Sequence, residues 1–211
     1  MQSKEYLDFI SGYPPLLAIG NTPTVRLDLE LDIGDAEIHA KLEHLNPGGS
    51  IKDRAVLRML VESILSGELT EDKTILDATS GNAGIAYAMI GAVLGYRVEL
   101  VMPSNASEER KKRLKAHGAS IIYTDPMLGY DETLREVRRR YEADPDRYFW
   151  CDQYGNMNNP QAHYDTTAEE ILHQVSGVTH FVGGVGTGGT ISGVGKRLKE
   201  HDPAIQIIGI N

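Results

Sequence analysis

The chain has 211 residues, 41% hydrophobic, 24% charged and 7% aromatic, with a net charge of −9. Such a composition suits a globular protein of one large or two small domains with a real core, and the acidic balance speaks against nucleic acid as a partner. It contains no run of about 18 apolar residues, and Lys4, Glu5 and Asp8 interrupt any signal-peptide core, so no membrane partner and a cytoplasmic location are expected.

The first 45 residues read differently from the rest. They hold Pro14-Pro15, the turn-like Gly20-Asn21-Thr22-Pro23 and a short alternating run, Glu37–Leu42. From Lys52 onward helix and strand patterns alternate. Residues 52–66 place Val56, Leu57, Leu60, Val61 and Ile64 on one helical face, with Gly67 as the stop. The order continues with a strand at Thr74–Ala78, a helix of small residues at Ala83–Leu94, a strand at Arg97–Met102 and a charged helix at Ser107–His117. A strand at Ser120–Thr124, a helix at Asp131–Glu142 and a short strand at Tyr148–Cys151 follow. The last third predicts a helix over Gln161–Val175, a strand at Thr179–Gly183, a helix at Ile191–Glu200 and a strand at Ile205–Ile210. Strands alternating with helices of this length mean βαβ units and a mostly parallel sheet. The basic clusters Arg110–Lys115 and Arg135–Arg140 have acidic neighbours and read as solvated helix faces. The single cysteine, Cys151, follows Tyr148-Phe149-Trp150 and is expected to pack as a small hydrophobe. No metal-ligand pattern stands out.

In such folds ligands bind beyond the carboxyl ends of strands. Three loops lie there. The run Gly183-Gly184-Val185-Gly186-Thr187-Gly188-Gly189-Thr190 sits between a strand and a helix. A tight turn needs one or two glycines, whereas exposed N–H groups beside threonine hydroxyls suit a phosphate. Gly184 to Gly189 also fit the dinucleotide spacing G-x-G-x-x-G, but the position for the acidic residue about 20 residues on is Asn211. A Walker A loop is excluded, because no Lys-Ser or Lys-Thr follows. The second loop, Thr79-Ser80-Gly81-Asn82, has more polar groups than one helix cap requires, and these suit a small carboxylate. The third is Asn46-Pro47-Gly48-Gly49-Ser50-Ile51-Lys52-Asp53-Arg54. Ser50 and Asp53 have the spacing of a capping box. That leaves Lys52 at the positive end of a helix, a poor place for a structural cation and a suitable one for a reactive amine of lowered pKa.

Together these loops resemble the fold-type II family of pyridoxal-phosphate enzymes, and the cysteine synthases in particular. Asn21-Thr22-Pro23 is similar to that family's entry motif, and Gln153-Tyr154-Gly155-Asn156 with His163-Tyr164 looks most like its B-type branch. The resemblance implies an α/β fold of two doubly wound domains of the tryptophan synthase β-like architecture. A larger domain would comprise residues 1–44 plus 149–211 and a smaller one residues 45–148. It also implies a chain truncated at the C-terminus, with the larger domain incomplete. Lys52 would bind the aldehyde of pyridoxal 5′-phosphate and act as base and acid. Asn82 would contact the ring oxygen. Gly186, Thr187, Gly188, Gly189 and Thr190 would hold the phosphate. Thr79, Ser80, Gly81, Asn82 and Gln153 would bind the substrate carboxylate. The implied activity is β-replacement on an O-activated L-serine, O-acetyl- or O-phosphoserine, with sulfide or another sulfur donor, giving L-cysteine; the implied assembly is a homodimer. The loop departs from the family in having Ala83 where threonine is usual. Three other readings stand beside this one. They are an inactive relative serving as a scaffold or binding partner, another fold-type II eliminase, dehydratase or cystathionine β-synthase-like enzyme, and a dinucleotide-binding oxidoreductase resting on the glycine spacing alone.

Overall fold

The computed structural model describes residues 2–30, 34–79 and 81–210. Ser80 and Asn211, both singled out above, lie outside the described residues. The chain opens with two short helices, α1 (Lys4–Ser11) and α2 (Pro14–Leu17), then an antiparallel pair, β1 (Thr24–Leu27) and β2 (Ile38–Lys41). Neither opening helix is predicted from the sequence. The α1 pattern is short and its cap is a lone Ser3, whose side chain accepts from the N–H of Tyr6.

The next unit is a doubly wound sheet. Its elements are α3 (Lys52–Leu65), β3 (Thr74–Ala78), α4 (Asn82–Leu94), β4 (Arg97–Pro103), α5 (Glu108–Ala116), β5 (Ser120–Thr124), α6 (Gly129–Ala143) and β6 (Tyr148–Trp150). All pairings are parallel and the strand order is β5-β4-β3-β6. Every residue of β3 is buried, as a central parallel strand requires. On one face Ile75, Val98, Leu100 and Met102 pack with α3 and α4; on the other, Leu76, Ala78 and Val101 meet Val137 of α6. Cys151 is buried in the first of these cores, as expected. Helix α4 is apolar all round and buried along most of its length, and it stops at Gly95 in the left-handed conformation, φ +82°. It lies close on β4 because Gly91 has no side chain; a Cβ there would stand 2.3 Å from Val98.

The chain lays down β3, β4 and β5 in one direction with α4 on the first face. It then returns through α6 on the opposite face to place β6 beside β3. The strand order therefore reverses between β3 and β6, and the crevice beyond their carboxyl ends is where such a sheet binds ligands. Thr79 and Gly81 follow β3, and Gln153 follows β6. Since β6 is hydrogen-bonded to β3, the expected domain boundary at 148/149 falls inside that strand.

The last third holds α7 (Asn158–Ala162), a π-helical turn at His163–Thr167, α8 (Ala168–Gln174), β7 (His180–Gly184), α9 (Gly189–His201) and β8 (Gln206–Ile210). The helix predicted over Gln161–Val175 thus begins earlier and carries a π-turn in its middle. The parallel pair β7–β8 packs Phe181 and Ile207 into a third core with Val194 and Leu198 of α9, while Val182, Ile208 and Ile210 are exposed.

The capping box predicted with Ser50 as N-cap and Asp53 reaching back does not form: the residue before α3 is Ile51, with no side-chain cap. Ser50 Oγ accepts from the N–H of Lys52, but Asp53 does not reach back to Ser50; its carboxylate accepts from the N–H of Gly48 at 2.6 Å. The glycine pair turns the chain so that Gly48, not Ser50, lies over the first turn. A Cβ on Gly48 would stand 2.4 Å from the Asp53 carboxylate.

One buried cation joins the parts. Arg54 is 3% exposed and its guanidinium binds Glu43 on α3's amino side, Glu170 of α8 and the Thr22 hydroxyl. Burial works to raise the Glu170 pKa, but hydrogen bonds from Arg54 and Lys41 outweigh it and hold it down at about 2. A carboxylate of depressed pKa contributes stability above its unfolded pKa, and that contribution is lost as pH falls through the folded value. Glu170→Gln is expected to destabilise the fold by about 3–5 kcal/mol at neutral pH, the cost of breaking a buried pair. The gap between the two proteins, read by denaturant unfolding, narrows as pH falls from about 4.5 towards about 2. An equal gap at pH 3 and pH 7 rules out the charge as its cause.

Candidate active site

The lysine loop and the glycine loop, 135 residues apart in sequence, meet in space. Lys52 is the first residue of α3, and its Nζ lies 3.4 Å from Thr187 Oγ1, at the long end of hydrogen bonding. Its amine is half-buried and makes no ion pair among the described residues. Burial lowers its pKa below the ordinary lysine value.

The glycine loop runs from the end of β7 into α9. Gly188 has φ +83° and caps the helix, and Gly189 is its first residue. Its glycines serve two different purposes. A Cβ at Gly184 or Gly186 would meet nothing within 4 Å, so the backbone there faces open space. At Gly189 a Cβ would stand 2.0 Å from Asn159 Oδ1, and at Gly193 it would stand 2.1 Å from the Pro160 carbonyl oxygen. Those two glycines seat α9 against α7. Thr190 reaches back to His163, Oγ1 to Nε2 at 3.2 Å, and the other ring nitrogen lies 3.0 Å from Thr167 Oγ1. His163 is fully buried. Burial, aided by the Lys52 charge, pushes its pKa down to about 3, so the ring is neutral at ordinary pH.

The loop after β3 is shaped from inside. Thr79 is buried, and its Oγ1 accepts from the N–H groups of Gly84 at 3.0 Å and Gly81 at 3.3 Å. The threonine thus caps α4. Gly81 faces open space, and the Asn82 side chain is exposed at the first position of α4. Gln153 is buried at the end of β6. Its side-chain amide donates to the Ala78 carbonyl oxygen at 2.8 Å, and its N–H donates to Asp77. Asp77 is buried and also accepts from the Tyr87 hydroxyl at 2.5 Å; burial, offset in part by these donors, raises its pKa to about 6.

Sequence reasoning missed Arg54, Asp77 and Asn159. No local pattern marks them, because each acts on residues distant in the chain. His163 entered only through resemblance. Its one physical sign is the π-turn, a feature common at functional sites.

Residues 15–211 match the family described as pyridoxal-phosphate dependent enzyme. The chain belongs to that family. It is 52% identical over 199 residues to a cysteine synthase of Aquifex aeolicus, covering 92% of this chain and 61% of the relative. It is 44% identical to cysteine synthase B of Salmonella typhimurium, covering 91% and 63%. Among solved structures, cysteine synthase from Entamoeba histolytica superposes with a TM-score of 0.88 at 40% identity, over 92% of this chain and 59% of that one. The chain therefore spans about three fifths of the length of the curated relatives it matches. The fold is that of these enzymes, the α/β, fold-type II architecture expected from the resemblance.

The residues present fit the family's cofactor. An aldehyde requires an amine free of a carboxylate partner, and the Lys52 amine has no such partner among the described residues. A phosphate requires backbone N–H groups without side chains above them, and Gly184, Gly186 and Gly188 provide that cradle beside two hydroxyls. The two kinds of glycine make separable predictions. Gly193→Ala is expected to cost about 1–3 kcal/mol through overpacking, seen as a lower Tm. Gly186→Ala should leave Tm unchanged and weaken binding of pyridoxal phosphate, measured by titration. A Gly186→Ala protein that melts early but binds normally would show that the glycine serves packing alone.

Proposed function

We propose that this chain supplies the cofactor lysine, phosphate loop and carboxylate loop of a cysteine synthase-type enzyme. Its substrates are an O-activated L-serine, O-acetyl- or O-phosphoserine, and sulfide or another sulfur donor, and the reaction replaces the β-substituent. The observation that carries this reading is the contact between Lys52 and the glycine loop, at a crevice whose other wall is the β3–β6 switch point. Similarity to cysteine synthases supports the product. The G-x-G-x-x-G spacing is then a loop for a single phosphate, not a dinucleotide fingerprint.

The geometry supports the following roles. Lys52 Nζ, desolvated and without a counter-ion among the described residues, is neutral more often than a surface lysine, so it serves both as nucleophile towards an aldehyde and as base at the substrate Cα. When bound, the cofactor supplies an electron sink for the charge left on Cα. The amino end of α4, with Gly81 open and Asn82 exposed, receives the substrate carboxylate; the helix dipole favours an anion there. Thr79 holds the turn in shape from beneath. Gln153 ties the carboxyl ends of β3 and β6 together and so fixes the floor of the crevice. After the β-substituent is exchanged, Lys52 returns the proton to Cα.

Adding pyridoxal phosphate is expected to give a visible imine absorbance. Borohydride reduction should then fix the label on the peptide containing Lys52. Lys52→Ala is expected to show neither, and to form no cysteine from O-acetylserine and sulfide. A reduced label on another lysine, or an identical spectrum from Lys52→Ala, refutes the assignment.

A further inference from the structure

Asn159, the second residue of α7, touches both halves of the crevice and is 2% exposed. Its Nδ2 donates to the Gln153 carbonyl oxygen at 2.8 Å and to Thr187 Oγ1 at 2.9 Å. Its Oδ1 is buried with no hydrogen-bond partner among the described residues. The orientation of the amide is not free. A carbonyl oxygen only accepts, so the nitrogen end must face Gln153. The second Nδ2 hydrogen is then delivered to Thr187. Turning the amide over would set Oδ1 against the Gln153 oxygen and leave that carbonyl without its donor.

This fixes the polarity of Thr187. A hydroxyl has two lone pairs and one proton. Thr187 Oγ1 receives a hydrogen from Asn159 and lies 3.4 Å from the Lys52 amine, with the Gly189 N–H at 3.5 Å. One lone pair takes the Asn159 hydrogen and the other faces the Lys52 amine and the Gly189 N–H, both at the long end of hydrogen bonding, so the proton of the hydroxyl is directed away from them, to the open side of the glycine loop. The buried, unpartnered Oδ1 is the cost of this arrangement, since an unsatisfied amide oxygen is unfavourable. It persists because the nitrogen end is required elsewhere.

We propose that Asn159 is a positioning residue that makes the Thr187 hydroxyl an obligate hydrogen-bond donor to an anion in the glycine loop. That anion is the cofactor phosphate, so the inference rests on the function proposed above. Asn159 also ties the carboxylate-side Gln153 to the phosphate-side Thr187 through one amide.

The test compares pyridoxal phosphate with pyridoxal, which lacks the phosphate. Dissociation constants are measured for wild type, Asn159→Ala, Thr187→Val and the double variant. Asn159→Ala is expected to weaken pyridoxal phosphate roughly tenfold and to change pyridoxal by less than about twofold. The double variant is expected to be no weaker than Thr187→Val, because both changes remove one interaction. Equal weakening of both ligands, or losses that multiply in the double variant, would mean that Asn159 only supports the fold, and would overturn the proposal. If wild type binds pyridoxal phosphate no better than pyridoxal, the phosphate reading of the loop fails and this inference falls with it. Should Asn159→Ala not fold, neutron diffraction from wild-type crystals with inorganic phosphate bound locates the Thr187 proton. It is expected on the phosphate side; a proton directed at Asn159 or Lys52 would refute the assignment.

Discussion

Arg54 carries a full charge where water is almost absent, and three separate stretches of chain converge to neutralise it. Glu43 and Glu170 bind it from opposite sides, while Thr22, which accepts from the guanidinium, itself donates to Glu43 at 2.6 Å. Lys41 adds a second cation on Glu170. A buried pair of this kind need not stabilise the fold more than a well-packed apolar group would. Its value is specificity of arrangement. The fork of the guanidinium accepts only carboxylates placed at its edges, so the turn at Thr22, the segment before α3 and helix α8 are held in one relation. Lys52 lies two residues earlier on the same helical turn. Positions two apart on a helix face away from each other. Anchoring Arg54 on one side therefore presents Lys52 to the other, where the glycine loop lies.

The electrostatics on that second side are the reverse of the first. Around Arg54, carboxylates are gathered and held ionised. Around Lys52 the neighbours are hydroxyls, an amide and a histidine that burial keeps neutral. A carboxylate there would pin the amine in its charged form and compete with an anionic ligand. Desolvation without a counter-ion has the opposite effect and lowers the pKa of the amine. The acid that the sequence places beside Lys52, Asp53, is turned away to the Gly48 N–H, and burial raises its pKa to about 6 despite that bond. The glycine pair Gly48-Gly49 thus does more than bend the chain. It offers Asp53 a donor on the far side of the turn and leaves the near side to the lysine.

Much of this was legible in the sequence, and the reason differs by element. The strands at Thr74–Ala78, buried throughout, and Ser120–Thr124, at the sheet edge, lie where predicted because both are short apolar runs with clear stops. Helix α3 follows from periodicity and from Gly67, and α4 from its run of small residues and from Gly95. The basic cluster on α6 is a solvated face, as read, with Arg135 and Arg140 paired to Glu132 and Glu136, whereas Arg113 of the other cluster donates to the Gly48 carbonyl oxygen. What was hidden shares one property. Arg54, Asp77 and Asn159 take their meaning from partners far along the chain, and a local pattern carries no trace of such a partner. The capping box at Ser50 fails for a different, local reason: the spacing is right, but the turn at Gly48-Gly49 offers Asp53 the nearer Gly48 N–H.

The glycine loop shows most clearly why motif and mechanism are not the same thing. Its spacing alone suited a dinucleotide, a single phosphate or a close turn. In the fold, the glycines divide by what stands beside them. Gly184 and Gly186 look onto open space, whereas Gly189 and Gly193 are pressed against α7. The loop is glycine-rich twice over, once so that an anion can approach the backbone and once so that α9 can approach α7. The second requirement serves the first. Only with the helices this close does Asn159, on α7, reach Thr187, on the loop, and turn a hydroxyl of either polarity into one that points towards the open side.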